Sequence, residues 1–389
     1  MEREKAVEFI NDLLRAMVER NGSDLFITAG APPSIKADGQ LVHLTNQPLT
    51  PSHTQVLVRS IMNDKQLADF ERNQESNFAI SVPGLSRFRV ATFTQKGTYG
   101  MVLRKIQARI PTLEELNMPP ILRNIALSKM GMVIVVGATG SGKSSTLAAM
   151  VGHRNEKTHG HIITIEDPIE FIHEHRNCIV TQREVGVDTE SYEVALKNTL
   201  RQAPDVIMIG EIRDRETMEY AIAFAETGHL VLATLHANTT NQAIDRIINF
   251  FPEERHQQLF MDLSLNLKAV LSQRLVRRAG GVGRVPAVEI LINTPLMSDL
   301  ILKGRVPEMK ELMKKSTELG MQTFDQALFN LYERGLIDYK EALRHADSVN
   351  DLRLRIKLES KRGRADDLLA GADGLEIQDA PEDGLLKKP

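Results

Sequence analysis

The sequence predicts an α/β protein in which a domain with a parallel sheet follows a smaller α+β domain and precedes a set of C-terminal helices. One observation is a glycine-rich loop that joins an apolar run, residues 132–136, to a helical pattern at residues 145–150. A second is the alternation of apolar runs with helical patterns beyond residue 121, which is typical of parallel sheets. A third is a set of short β-like runs separated by turns before residue 106, which indicates a separate module.

Residues 1–106 are predicted to form the smaller domain. An amphipathic pattern over residues 4–20 ends at Asn21-Gly22 and indicates a helix, and residues 53–71 predict a second one. The β-like runs lie at residues 24–28, 34–37, 39–42, 86–93 and 100–106. Residues 107–120 are predicted to be a linker because they contain Pro111, Pro119 and Pro120.

The larger domain is predicted to span residues 121–294, with strands at residues 132–136, 161–165, 205–209 and 230–235. Residues 252–276 and 295–344 are predicted to be mostly helical, and a C-terminal helical region is expected over residues 295–350. The tail, residues 351–389, is expected to be partly disordered, because residues 371–389 are rich in Gly, Asp and Pro. Residues 352–358 alternate strictly, which fits either a late strand or an exposed helix.

Composition and charge narrow the classes of partner. The 389 residues have a net charge of −3, so nothing in the overall charge favours nucleic acid or an anionic membrane surface. No apolar run reaches the roughly 20 residues that span a bilayer, and direct membrane insertion is not expected. The first twenty residues show no signal-peptide pattern, and the single cysteine, Cys178, excludes an internal disulfide. These features favour a cytoplasmic protein.

A complete phosphate-binding loop of the form G-x-x-x-x-G-K-[ST] lies between a predicted strand and a predicted helix. Its glycines let backbone N–H groups surround phosphates, and the helix adds the positive end of its dipole. Lys143 is expected to reach the β- and γ-phosphates, and the Ser144 hydroxyl is expected to contact Mg²⁺. The chain is therefore predicted to bind a nucleoside triphosphate through Gly137, Ala138, Thr139, Gly140, Ser141, Gly142, Lys143, Ser144 and Ser145.

Carboxylates follow two of the predicted strands. Glu211 follows the run at residues 205–209, although Gly210 holds the position of the aspartate that usually ends such a strand. A carboxylate at this edge of a parallel sheet suits Mg²⁺. Glu166, Asp167 and Glu170 follow the run at residues 161–165, and three carboxylates so close together require a metal or water. One of them is a candidate general base, and Glu166 is a further candidate metal ligand, but spacing alone does not choose the base.

Histidines and arginines complete the candidate set. His229 and His236 flank the run at residues 230–235 and would lie about 23 Å apart if the chain is extended, so they are not predicted to share a metal. One is expected to sense the γ-phosphate and the other to form a hydrogen bond at the strand end. Arg87 and Arg89 share one face of a β-like run, and Arg104 lies on the next. They form either a phosphate clamp supplied by the first domain or ordinary surface charges.

Together these motifs resemble the secretion and pilus motor ATPases, and most closely the type IV pilus retraction ATPases of the PilT/PilU kind. The matching segments of the larger domain are residues 137–144, the acidic box at 164–170, Gly210-Glu211-Ile-Arg-Asp214 and the histidine box at 227–236. The smaller domain contributes Ser23-Asp-Leu25, Ala31-Pro-Pro33 and Arg87-Phe-Arg-Val90, and the C-terminal helices contribute Leu319-Gly-Met-Gln-Thr323. The likeness covers about residues 5–345.

The resemblance implies a PAS-like N-terminal domain, a RecA-like P-loop ATPase domain and a ring hexamer with its nucleotide site between the two domains. It implies that the cofactors are ATP and Mg²⁺. It places the water-activating glutamate at Glu170, the magnesium-side glutamate at Glu211 and the sensor histidines at His229 and His236. The N-domain arginines of the family fall among Arg87, Arg89 and Arg104.

The same resemblance implies that ATP hydrolysis serves pilus retraction in twitching motility. The expected partners are a paralogous, PilT-like retraction ATPase and an inner-membrane pilus platform protein. A cytoplasmic location, peripheral at the inner-membrane base of the pilus machine, follows from that role.

Two departures favour the PilU branch of this family. Residues 296–303, which follow Thr294-Pro295, lack the arginines and the glutamate that PilT carries there, and the tail beyond Ala346 is longer than PilT needs. The four-cysteine zinc site of the extension and type II secretion ATPases is also absent from the sequence. The leading hypothesis is a motor ATPase that acts with a paralogue. The alternative is a nucleotide-binding interaction subunit with little autonomous motor activity. A third class, a small-molecule kinase, would need an acceptor site and a lid, and the sequence shows neither.

Overall fold

Two β-sheets organise the protein, whose computed structural model describes residues 2–37, 40–106 and 109–362. An antiparallel sheet of six strands lies within residues 24–105, and a mainly parallel sheet of seven strands lies within residues 131–292. The α/β fold class, with a smaller first module and C-terminal helices, is confirmed. The predicted domain boundaries at residues 106, 120, 294 and 350 stay predictions.

The first module contains three helices and the antiparallel sheet. Its elements are α1 (Glu2–Glu19), β1 (Asp24–Thr28), β2 (Ser34–Ala37), β3 (Gln40–His43), α2 (Pro51–Ser60), α3 (Asp64–Asn73), β4 (Glu75–Val82), β5 (Ser86–Gln95) and β6 (Thr98–Lys105). The strand order is β3-β2-β1-β6-β5-β4. Strand β5 buries Phe88 and Val90 completely in the module's core. Because side chains alternate along a strand, Arg87 and Arg89 lie on its other face, as predicted.

The single helix predicted over residues 53–71 is wrong, because the segment forms two helices, α2 and α3. The break lies at Asn63, whose side chain accepts a hydrogen bond from the backbone N–H of Gln66. The Gln66 side chain in turn accepts from the backbone N–H of Asn63. This reciprocal capping starts α3 and prevents one continuous helix.

The larger sheet alternates with helices that cover both of its faces. Its elements are α4 (Ile121–Ala126), β7 (Gly131–Val136), α5 (Lys143–Lys157), β8 (Gly160–Glu166), β9 (Cys178–Glu184), α6 (Tyr192–Thr199), β10 (Val206–Ile209), α7 (Arg215–Glu226), β11 (Leu230–Leu235), α8 (Thr240–Asn249), α9 (His256–Asn266), β12 (Leu267–Arg277) and β13 (Arg284–Ile292). The order is β13-β12-β7-β11-β10-β8-β9, and all neighbours are parallel except β12 and β13. Every residue of β7 and β11 is buried. The carboxyl ends of β7, β8, β10 and β11 therefore meet at one edge.

The prediction of helix over residues 252–276 is wrong beyond Asn266, where α9 ends and β12 begins. Strand β12 pairs in parallel with β7 and antiparallel with β13. Its run of apolar residues suits a buried helix or a buried strand equally well. Pairing on both sides decides for the strand: β13 follows after a six-residue turn, and β7 lies more than 130 residues earlier in the chain.

Helices form the C-terminal part, as predicted for residues 295–344. They are α10 (Pro295–Leu302), α11 (Val306–Lys315), α12 (Phe324–Glu333), α13 (Tyr339–His345) and α14 (Val349–Glu359). The open assignment of residues 352–358 is decided by α14, which buries Leu352 and Ile356 four residues apart. The disorder predicted for residues 371–389 lies outside the described residues. Among the residues described, none of the helices combines the length and apolarity that crossing a bilayer requires.

Candidate functional site

A cavity of about 730 Å³ lies at the edge where the carboxyl ends of β7, β8, β10 and β11 meet. Four residues that follow the ends of these strands line it: Lys143, Glu170, Glu211 and His236. Arg89 reaches the same cavity from the first module. The fold thus brings together residues that are far apart in the sequence, at the edge where open parallel sheets bind ligands.

The phosphate-binding loop ends directly in α5, which begins at Lys143. Gly142 has a left-handed backbone with φ of 92°, and no side chain caps the first turn of the helix. The N–H groups of that turn are therefore available to phosphate oxygens. At Gly137 a Cβ would lie 2.5 Å from the backbone oxygen of Gln273, so only glycine fits this approach.

Lys143 folds back over its own loop. Its Nζ donates to the backbone oxygens of Gly137 at 2.8 Å and Ala138 at 3.2 Å. Burial lowers the pKa of Lys143, and the negative charge of Glu211 opposes that effect. A phosphate group offers the ammonium a charged partner in place of two carbonyl groups, which agrees with its predicted contact with the β- and γ-phosphates.

Gln273 supports the phosphate-binding loop and was not identified from the sequence. Its Nε2 donates to the backbone oxygen of Ser141 at 2.7 Å, and its Oε1 accepts from the Thr146 hydroxyl at 2.7 Å. The side chain lies on β12 and is only 3% exposed. The available signal was the polar pair Ser272-Gln273 inside an apolar run, but the helical assignment of this segment hid it.

Glu211 is held between two cationic or ionisable partners. Its Oε1 lies 2.8 Å from His236 Nε2, and its Oε2 accepts from Arg213 Nε at 2.7 Å. Arg213 also reaches Asp167 at 3.2 Å. The hydrogen bond to Glu211, the first cause, raises the pKa of Arg213. Glu211 and His236 thus share one corner of the cavity, which supports their predicted places beside the nucleotide.

Glu166 and Glu170 differ in environment although both line the cavity. Glu166 is 7% exposed, and its Oε1 accepts from the Thr164 hydroxyl at 2.7 Å and from Gln182 Nε2 at 3.2 Å. Burial raises the pKa of Glu166 in spite of these hydrogen bonds. Glu170 is exposed and accepts from Arg89 Nη2 at 3.2 Å. The geometry therefore favours Glu170 as the general base and weighs against Glu166 as a metal ligand, and both roles stay predictions.

The three candidate arginines have different partners. Arg104 lines the cavity, and its Nε donates to Asp24 at 2.6 Å. Arg87 lies 3.5 Å from Glu184 Oε2, an acid whose pKa burial raises. Arg89 contacts Glu170, and within the described residues its buried Nε has no hydrogen-bond partner. Arg89 is therefore the arginine best placed to meet a phosphate, since it lies in the cavity and retains a donor.

His229 lies at the opposite edge of the sheet from the phosphate-binding loop. It precedes β11, and its Nδ1 lies 3.1 Å from both the Phe224 backbone oxygen and the Thr227 hydroxyl. The structure does not bring it to the cavity, so the prediction that it acts on the same phosphates is not supported within one chain. The physical reason is the length of β11, because the seven residues from His229 to His236 span about 23 Å when extended.

Comparison with known proteins agrees with this geometry. The chain matches the family profile of the type II/IV secretion system proteins over residues 1–323. It is 62% identical to the type IV pilus ATPase PilU of Pseudomonas aeruginosa over 371 residues, which cover 95% of this chain and 97% of that protein. It is 44% identical to the type IV pilus retraction ATPase PilT of the same bacterium over 333 residues, or 86% of this chain and 96% of that one.

Solved structures of two ATPases have the same fold. The structure of the pilus retraction motor PilT with bound ADP superposes with a TM-score of 0.83 at 41% identity, covering 88% of this chain and 98% of that one. The ATPase DotB of Legionella pneumophila superposes with a TM-score of 0.76 at 27% identity, covering 86% of this chain and 94% of that one. With the phosphate-binding loop and its cavity in place, the chain belongs to the type II/IV secretion system protein family, in its branch of type IV pilus ATPases, and is a P-loop ATPase.

Proposed function

We propose that this ATPase is a ring-forming motor that couples hydrolysis of Mg-ATP to type IV pilus retraction, together with a paralogous retraction ATPase. The observation that carries the proposal is the ion pair between Arg89 of the first module and Glu170, with 3.2 Å between Nη2 and Oε1. It crosses the cavity that also contains Lys143. Chemistry at the phosphates therefore has a direct electrostatic connection to the position of the first module.

The residues support a hydrolysis step. The phosphate-binding loop and Lys143 hold the phosphates, and Glu170 accepts a proton from the attacking water. The water oxygen forms a bond to the γ-phosphorus while the bond to the β,γ-bridging oxygen breaks, which leaves ADP and phosphate. Arg89 exchanges its contact with Glu170 for the γ-phosphate and stabilises the charge that develops there.

Magnesium fits this arrangement as an ion shared with the phosphates. In residues 2–37, 40–106 and 109–362, no group of three or more His, Cys, Asp and Glu side chains is placed to hold a metal alone. The Ser144 hydroxyl and the Glu211 carboxylate both line the cavity and are oxygen donors of the kind that Mg²⁺ takes along with phosphates and water. When bound, the ion neutralises charge on the β- and γ-phosphates.

Motion follows from the exchange of charge partners. Arg89 and Arg87 both hold the first module to acids of the ATPase module, at 3.2 Å from Glu170 and 3.5 Å from Glu184. Loss of the Glu170 contact on ATP binding leaves the first module free to close on the nucleotide, and hydrolysis restores the contact. In a hexameric ring, closure of one subunit moves the subunit beside it. The similarity to PilT, whose structure is described as that of a pilus retraction motor, supports this use of the closure. The proposed place is the inner-membrane base of the pilus machine, against its platform protein.

The test compares hydrolysis with pilus retraction. A strain that lacks this chain is complemented with the wild type, Lys143→Ala or Glu170→Gln, while retraction of labelled pili and the ATPase rate of the purified chain are measured. Ring formation is measured by native mass spectrometry with ATP. We expect both variants to lose hydrolysis and retraction together, with the ring intact for Glu170→Gln. Wild-type retraction by the Glu170→Gln strain would contradict the proposal that hydrolysis by this chain drives retraction.

That contradicting result supports the alternative, an interaction subunit with little motor activity of its own. One observation favours it: α10, in the segment that departs from PilT, exposes Leu296 by 56% and Leu302 by 50%. Exposed leucines at this point are suited to a contact with another subunit. The ATPase rate of the chain alone, against its rate with the paralogue added, separates the two hypotheses.

A further inference from the structure

Position 210 requires a glycine because there is little space for a side chain, and not because of its backbone conformation. It does not have the positive φ found at sixteen other glycines of the described chain. A Cβ at this position would lie 2.9 Å from Tyr192 Oη, 3.1 Å from Glu166 Cα and 3.2 Å from the backbone oxygen of Ile165. The first of these contacts is with a side-chain hydroxyl. Tyr192 therefore occupies the volume into which the usual aspartate of this motif would extend.

Tyr192 reaches this point from the start of α6. The Ser191 side chain caps the helix by accepting from the N–H of Val194, which sets the direction of the first turn. The tyrosine ring packs against the core that lies under β8, β10 and β11. Its residue lines the same cavity as Lys143, Glu170 and Glu211. The ring is thus anchored while its hydroxyl lies at the carboxyl end of β10.

Burial and the neighbouring carboxylates both raise the pKa of Tyr192, which keeps its hydroxyl protonated. Burial is the main cause that raises its pKa, and the carboxylates of Asp167, Glu166 and Glu211 act in the same direction. Arg213 opposes them. The phenol is therefore a neutral group with one O–H donor at physiological pH, set among acids that can only accept when ionised.

We propose that Tyr192 is a positioning residue for ATP hydrolysis, whose hydroxyl takes the place of the missing aspartate side chain and donates a hydrogen bond to a water at the γ-phosphate end of the cavity. The water then has one neighbour that donates, Tyr192, and one that accepts its proton, Glu170. A carboxylate at position 210 could not supply the donor. This assignment concerns the hydrolytic step of the ATPase and does not depend on the pilus motor.

Tyr192→Phe tests the proposal because it keeps the ring and removes only Oη. We expect kcat to fall about tenfold, which corresponds to about 1.4 kcal/mol in the barrier. The KM for ATP and the affinity for a non-hydrolysable ATP analogue should stay within about twofold, and Tm should be unchanged. Tyr220→Phe is the matched control, since Tyr220 lies on α7 beside Phe224 and does not line the cavity.

A wild-type kcat in Tyr192→Phe overturns the proposal. A variant in which kcat, analogue affinity and Tm all fall together also overturns it, because the tyrosine would then be a structural residue. Gly210→Ala gives a second measurement, because its Cβ would contact the hydroxyl at 2.9 Å. We expect Tm to fall in Gly210→Ala and to recover partly when Tyr192→Phe is added, since the two changes act on one contact. Additive losses of Tm would show that Oη does not occupy this space.

Discussion

Gln273→Met should loosen the phosphate-binding loop while leaving the core filled. The glutamine is 3% exposed and makes hydrogen bonds of 2.7 Å to the Ser141 backbone oxygen and to the Thr146 hydroxyl. Methionine has nearly the same length and volume, so the substitution removes both hydrogen bonds without opening a large cavity.

The size of the effect follows from what each partner retains. The Thr146 hydroxyl still has the backbone oxygen of Gly142 at 3.2 Å as an acceptor, so the principal loss is at the Ser141 oxygen. A lost hydrogen bond costs about 1 kcal/mol, and a buried group left without a partner costs about 1–3 kcal/mol. The sum is about 2–4 kcal/mol, which for a domain of this size lowers Tm by roughly 4–16 °C.

Nucleotide affinity should fall as well, because binding must then order a loop that Gln273 no longer holds. If about half of the lost free energy appears in binding, the dissociation constant for ADP rises about tenfold. The measurements are thermal unfolding and titration with a fluorescent ADP analogue. Gln258→Met is the matched control, since Gln258 is a glutamine of α9 bonded to Asp262 on the surface. A lower Tm with unchanged ADP affinity would refute the reasoning and leave Gln273 as a core residue only.

Four further outcomes are expected. Lys143→Ala should abolish ATPase activity without lowering the free energy of unfolding by more than about 1 kcal/mol, because the ammonium group donates to two loop carbonyl groups; near wild-type hydrolysis would disprove the loop's role. Glu170→Gln should bind the ATP analogue but lose at least about 100-fold in kcat; activity there with an inactive Glu166→Gln would reverse the choice of base. Arg89→Ala should lower kcat more than analogue affinity, and a change in affinity alone would remove its catalytic role. Without nucleotide, wild type should lose stability relative to Glu166→Gln as pH rises above the ordinary glutamate pKa of 4.5 and through the raised pKa of the folded state, because the folded state binds the proton more tightly than the unfolded state; identical urea-unfolding curves of the two proteins across that range would contradict this.

The sequence was sufficient to predict the site wherever a functional motif consists of consecutive residues. The phosphate-binding loop is a strand, a glycine turn and a helix start in one segment, and the structure has α5 beginning at Lys143 as that pattern requires. Glu211 and His236 follow buried strands, so their positions at one edge follow from parallel pairing. The shared face of Arg87 and Arg89 follows from strand alternation.

Errors arose where a local pattern had two solutions. The apolar segment of β12 was assigned to a helix because periodicity does not separate a buried strand from a buried helix. Pairing with β13 in a hairpin and with β7 in parallel decides for the strand, and the pairing with β7 depends on the order of the whole sheet. The assignment concealed Gln273, which contacts a loop 132 residues earlier in the chain.

The sequence by itself determined the fold class, the nucleotide loop and the family, because these depend on contiguous motifs and on local periodicity. Only the tertiary structure decided which candidates meet. It joined Arg89 to Glu170 across 81 residues, left His229 at the far edge of the sheet and filled the space beside Gly210 with Tyr192. The physical reason is that contact between distant side chains depends on sheet order and on the volume each side chain occupies, and neither quantity is encoded in the spacing of residues along the chain.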